Sequence, residues 1–147
     1  MKTQYKKTII AAVCGALFFL SCANFDIWPL AWFAAAPVLM IALDPSTKRV
    51  WFYGLICGLV ADGGGFYWFL HFLQQFGHLP VIAALPIHLL LVGYQALIFM
   101  FFFVAVRRIH DATKLPVTLF APAVFVAIEL CIPNIFPWSI PPSDMSA

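Results

Sequence analysis

The chain has 147 residues, of which 64% are apolar, 17% aromatic and only 10% formally charged, against about 25% charged in an ordinary soluble domain. A mean hydropathy of +0.98 selects lipid as the surroundings and excludes disorder, which needs low hydrophobicity and high charge. Eight Lys and Arg against six acidic residues, a net charge of +2, are too few and too scattered to neutralise a nucleic-acid backbone, and an apolar bundle of this size leaves no stretch for a separate water-soluble catalytic domain.

Five apolar segments follow one another: Thr8 to Ala23, Ile27 to Leu43, Val50 to Leu70, Pro80 to Val106 and Leu115 to Ile132. Each reads as a membrane helix, so the expected fold is all-α, a polytopic membrane helix bundle of about five transmembrane helices. Before the first, Lys2, Lys6 and Lys7 precede an apolar run ending in Leu20-Ser21-Cys22, a loose imitation of a lipoprotein signal peptide. Phe19 is a poor residue for that cleavage site, and an uncleaved first helix is the preferred reading. The first two segments reach only about 25 Å each and form a hairpin through Asn24-Phe25-Asp26, with Asp26 as N-cap and Pro29 in the first helical turn, where a missing N–H costs nothing. The third carries Gly54, Gly58, Ala61 and Gly65 at spacings of four, three and four, which lines small residues along one packed face. Gly63-Gly64-Gly65 then predicts a break, and Pro37, Pro86 and Pro122 predict bends in the second, fourth and fifth segments.

All eight basic residues fall in three places: before the first helix, at Lys48 and Arg49, and at Arg107, Arg108 and Lys114. The connections Asn24 to Asp26 and His71 to Leu79 hold none, so the positive-inside rule puts the N-terminus in the cytoplasm and the C-terminus outside. Trp28, Trp32, Tyr67, Trp68 and Trp138 then gather at the outer interface, where an aromatic belt anchors a bundle.

Asp62 and Glu129 lie inside apolar segments, where ionisable groups are costly and mark candidate sites. Helical rise puts Asp62 about 18 Å and Glu129 about 21 Å from the cytoplasmic ends of their helices, and His88 about 12 Å below the outer start of its own. The three form a candidate buried polar layer if rotation about each helix axis brings them together. The cysteines, Cys14, Cys22, Cys57 and Cys131, read as small hydrophobes without disulfide or zinc spacing. His71 and His78 lack a third ligand for a metal, no cofactor motif is present, and no Ser, Cys or Lys has an evident base beside it.

Several of these residues also carry a resemblance. Asp26-Ile27-Trp28-Pro29-Leu30-Ala31-Trp32 with Ala36-Pro37-Val38-Leu39, then Gly58 through Gly65 to Tyr67-Trp68, Phe76-Gly77-His78-Leu79-Pro80, and Glu129 followed by Phe136-Pro137-Trp138 resemble, in order and spacing, the membrane region of bacterial apolipoprotein N-acyltransferases. The resemblance divides the chain into a membrane domain over 1–138 and a divergent tail over 139–147. It implies multi-pass placement in the bacterial cytoplasmic membrane and an enzyme that moves an acyl chain from a phospholipid to the N-terminal diacylglyceryl-cysteine of an apolipoprotein. In that family a Glu-Lys-Cys triad in a nitrilase-like domain performs the chemistry. None of the four cysteines here can be carried onto that nucleophile, so no catalytic residue is assigned, and the expectation is a truncated portion, inactive alone or working with a separate catalytic chain. Trp28, Trp68 and Trp138 are the expected lipid rim. The family's arginine after the Glu is missing, since Cys131-Ile132-Pro133-Asn134-Ile135 intervenes. The alternative is a small noncatalytic scaffold or transport-like bundle around Asp62, His88 and Glu129.

Overall fold

The protein is described by a computed structural model covering residues 2–21, 25, 27 and 29–132, with the side chains of residues 2, 3 and 32 outside the description. The expectations for Cys22, Asp26, Trp28, Phe136, Pro137 and Trp138, and for the tail, therefore lie outside the described residues. Every regular element among the described residues is helical: α1 (Lys2–Ser21), α2 (Pro29–Leu43), α3 (Val50–Gly65), α4 (Tyr67–Gln75), α5 (Val81–Thr113) and α6 (Val117–Cys131).

The helices occupy the five apolar segments, with three departures. α1 starts six residues before the apolar run, at Lys2, because lysine is itself a good helix former. The third segment is two helices, broken at Phe66 with a bend of 46°, directly after the glycine run whose low helix propensity predicts it. His71 was expected to open a loop, but the chain stays helical to Gln75, since leucine, phenylalanine and glutamine resume a helix once the bend is made; the connection is only residues 76–80. α5 continues past the apolar run to Thr113, and the i,i+4 pair Arg107–Asp111 supports its last turns. At 33 residues it is about 50 Å long. Among the described residues it alone is long and apolar enough to cross a membrane, and the bent α3–α4 pair passes the same test as one unit. α2 begins at Pro29, two residues after the expected start at Ile27, with Pro29 in its first turn as expected, and Pro37, Pro86 and Pro122 are accommodated inside α2, α5 and α6.

The α3–α5 seam is the most extensive contact, followed by α1–α3 and α1–α2. Glycines make that closeness possible. A Cβ on Gly58 would lie 2.8 Å from Ala96 Cα, and one on Gly54 would lie 2.7 Å from the Phe103 ring and 3.0 Å from the Phe99 carbonyl oxygen. Gly15 of α1 sits against the Cys57 carbonyl in the same way. The small-residue face of α3 is thus an intramolecular packing face. Around it Cys14, Val38, Ala42, Val50, Cys57 and Phe103 form one buried cluster drawn from four helices. A second, Phe66, Phe69, Leu91 and Val92, holds α4 to α5. Cys14 and Cys57 are buried hydrophobes as expected, whereas Cys131 is exposed on the last turn of α6, a helix whose packing is against α5 and whose one buried residue is Ala121.

The cationic connections meet at one end. Lys7 Nζ donates to Asp44 Oδ2 at 2.7 Å, Ser46 Oγ at 2.8 Å and Thr47 Oγ1 at 2.7 Å. Arg107 Nη1 donates to the carbonyls of Ala42 at 2.8 Å and Asp44 at 2.9 Å, satisfying acceptors that the end of α2 leaves without helical partners.

Candidate functional site

The opposite end is built from rings. α4 carries Tyr67-Trp68-Phe69-Leu70-His71-Phe72 in sequence, and helical geometry divides them between two faces. Phe69 is buried against α5, while Tyr67, Trp68 and Phe72 are 49%, 38% and 44% exposed. The rings touch in series: Trp68 meets Phe69 edge-on at 6.0 Å, Phe69 stacks on Phe72 at 6.1 Å, and Phe72 stacks on Phe76 at 5.1 Å. Such offset contacts contribute roughly 0.5–1.5 kcal/mol each beyond area burial. Phe76 is 73% exposed, and Val81, Ile82, Leu85 and Leu89 on the first turns of α5 are exposed as well. Together they make an open aromatic shelf.

The turn beyond α4 fixes the shelf's edge. Phe76 N–H bonds to the Phe72 carbonyl at 2.9 Å and Leu79 N–H to the Leu73 carbonyl at 3.3 Å. A Cβ on Gly77 would fall 2.6 Å from that Leu73 oxygen, so only glycine fits. His78 takes the left-handed conformation with φ 49, and Pro80 precedes the first residue of α5 with extended backbone. The residues Tyr67, Phe76, Gly77 and Pro80, singled out by order alone, are therefore brought into one structural unit with Trp68. His71 and His78 are both solvent-exposed.

Asp62 and His88 are half-buried on facing helices, whereas Glu129 lies on the exposed side of α6. Gly58 against Ala96 and Gly63 beside Val92 set a register that puts Asp62 level with residues 92–95. His88 is one turn farther along, its ring stacked on Phe69 at 6.5 Å. Three polar atoms in this region are buried with no hydrogen-bond partner among the described residues: Asp62 Oδ2, His88 Nδ1 and Gln95 Oε1. Gln95 escaped the sequence reading. An amide in the middle of an apolar run was its signal, since a buried polar group without a partner is costly there.

Comparison with known proteins sets this geometry in context. Residues 14–142 match the family described as apolipoprotein N-acyltransferase N-terminal domain. The chain is 29% identical over 134 residues to an apolipoprotein N-acyltransferase of Geobacter metallireducens, covering 89% of this chain and 26% of that protein. It is 28% identical over 139 residues to an apolipoprotein N-acyltransferase of Vibrio vulnificus, covering 92% and 28%. An apolipoprotein N-acyltransferase 2 of Leptospira interrogans is 28% identical over 145 residues, covering 92% and 24%. The chain thus spans about a quarter of the length of these relatives. No solved structure matches it.

Proposed function

Because the chain belongs to the apolipoprotein N-acyltransferase family, through that family's N-terminal domain, we propose that it is the membrane-embedded, lipid-handling part of an enzyme that moves an acyl chain from a phospholipid to the N-terminal diacylglyceryl-cysteine of an apolipoprotein. It crosses the bacterial cytoplasmic membrane several times with its cationic end in the cytosol, and the aromatic shelf stands at the outer interface. Support comes from that shelf: exposed rings of Tyr67, Trp68, Phe72 and Phe76 lie at the end of the bundle opposite the basic residues, where amphipathic aromatics suit the boundary between acyl chains and headgroups. Trp28 and Trp138 complete the rim in this reading. In this reading the chemistry belongs to the family's nitrilase-like domain: Cys14 and Cys57 are buried thiols that a lipid ester cannot reach, and Cys131, exposed on the last turn of α6, cannot be carried onto that domain's nucleophile.

The test uses an intact relative. Alanine at the positions matching Trp28, Trp68 and Trp138 should lower acyl transfer from a long-chain phospholipid while leaving transfer from a short, water-soluble acyl donor at the parent rate. Equal loss with both donors, or loss with neither, defeats the reading.

A second reading, a noncatalytic transport-like bundle, is favoured by the unpartnered atoms of Asp62, His88 and Gln95, since polar groups at membrane depth mark ion and proton pathways. It requires proton flux through the reconstituted chain that Asp62→Asn abolishes; flux at background leaves the acyltransferase reading alone.

A further inference from the structure

At the cationic end, the first turn of α3 and the last turns of α5 enclose a cleft of about 240 Å³ lined by Thr47, Lys48, Trp51, Val104, Arg107 and Arg108. Two of its three cations are not compensated by an acid among the described residues. Of the acids nearby, Asp44 is taken by Lys7 at 2.7 Å, and Asp111 by Arg107 at 2.6 Å with Lys114 at 4.0 Å. Lys48 and Arg108 are exposed, and neither has an acidic partner among the described residues. Arg107 is held in place by the α2 carbonyls and by Asp111, so it shapes the cleft wall and leaves Lys48 and Arg108 as the uncompensated charges. The first N–H groups of α3 face the same end, and Arg49, its N-cap, supplies no side-chain cap, which leaves the positive pole of the helix open to an anion.

The other wall is apolar. Trp51 is 47% exposed and meets exposed Phe52 edge-on at 5.9 Å, a surface that faces acyl chains if α3 and α5 cross a bilayer. An anion that fits both walls has a phosphodiester beside hydrocarbon. We propose that this cleft binds the headgroup of an anionic phospholipid from the cytoplasmic leaflet, as a bound structural lipid distinct from any acyl donor at the aromatic shelf. Basic pockets between membrane helices on the cytoplasmic side recognise such headgroups. The proposal rests on the membrane-crossing reading and is independent of acyl transfer, so the donor experiment above can fail while this one succeeds.

The test is lipid retention, read by native mass spectrometry on the whole chain released from nanodiscs of mixed phosphatidylglycerol and phosphatidylcholine. Phosphatidylglycerol should be retained over phosphatidylcholine. Lys48→Gln with Arg108→Gln should weaken retention about 30-fold, at roughly a factor of five for each cation. Arg49→Gln removes one charge outside the cleft and should lose less than either single cleft variant. Circular dichroism checks that each variant keeps its helix content, as expected at exposed positions. Unchanged retention in the double variant, or an equal loss in Arg49→Gln, overturns the proposal. In lipid-free detergent, inorganic phosphate that protects Lys48 from acetylation as well as phosphatidylglycerol does would assign the cleft to a soluble phosphate and overturn the lipid assignment.

Discussion

The two ends of α3 are held by different physics. At its start, Gly54 and Gly58 bring two backbones into contact, a cluster from four helices is buried around them, and Lys7 and Arg107 tie the neighbouring turns with charge-assisted hydrogen bonds. At its finish, a Cβ on Gly64 would still meet the Phe19 ring at 2.7 Å but one on Gly65 would meet nothing within 4 Å, the helix breaks, and α4 holds on through ring contacts with three of its four aromatics, Tyr67, Trp68 and Phe72, exposed. A bundle closed at one end and open at the other keeps a fixed frame while leaving an apolar aromatic edge exposed. The contrast is one of packing density, and packing density can be mutated.

The largest effect is expected at Gly58. Alanine there gains about 1 kcal/mol of helix propensity, but its methyl would stand 2.8 Å from the Ala96 backbone. Overpacking of that kind costs roughly 1–3 kcal/mol, and because the obstacle is backbone the loss should win, lowering the thermal midpoint in detergent. Gly65→Ala takes the same propensity gain with no obstacle and should be neutral or raise the midpoint. Equal destabilisation by the two would erase the difference between the ends of α3.

Gln95 probes the level where the tight region gives way to the open one. Its amide is 7% exposed with Oε1 unpartnered, so Gln95→Leu, which removes a buried polar group of similar volume, should stabilise by about 1 kcal/mol. A loss of that size instead would show that the seam supplies a partner, and with it Asp62 Oδ2 would have one within reach. At the shelf, Phe76→Ala removes a ring that is 73% exposed. Its effect on the thermal midpoint should stay within about 0.5 kcal/mol, while retention of a spin-labelled phospholipid at that end should fall. A large loss of stability would mean that the shelf is core.

Much of this was written in the sequence. The spacing of Gly54, Gly58, Ala61 and Gly65 forecasts the packed face, which forms at the first three but not at Gly65, and Gly63-Gly64-Gly65 forecasts the break, because both signals are local. The full length of α5 was not legible, since its last seven residues, Arg107–Thr113, are largely polar and stand beyond the apolar run. Nor was the Lys7–Asp44 contact, which joins residues 37 apart with no repeating pattern to announce it. For Glu129 the depth followed from helical rise, but its exposed position on α6 depends on rotation, which composition does not set.

The smallest effect belongs to that same contact. Hydrogen bonding from the Lys7 side chain, then from the Ser46 backbone and hydroxyl, holds the Asp44 carboxyl down from 3.8 to about 2. A depressed carboxyl favours the folded state while it is ionised. Its contribution is therefore complete above pH 3.8, shrinks as the pH falls through that value toward 2, and is gone once both folded and unfolded chains are protonated. The carboxylate is open to solvent and screened, so the gain is slight. Melting the detergent-solubilised protein across this acid range should show a shallow decline that Lys7→Met flattens, with raised salt acting in the same direction as the mutation. If Lys7→Met leaves the acid limb unchanged, the closed end is held by its glycine seam and the Arg107 cap alone, and the charge cluster is an ornament of the packing.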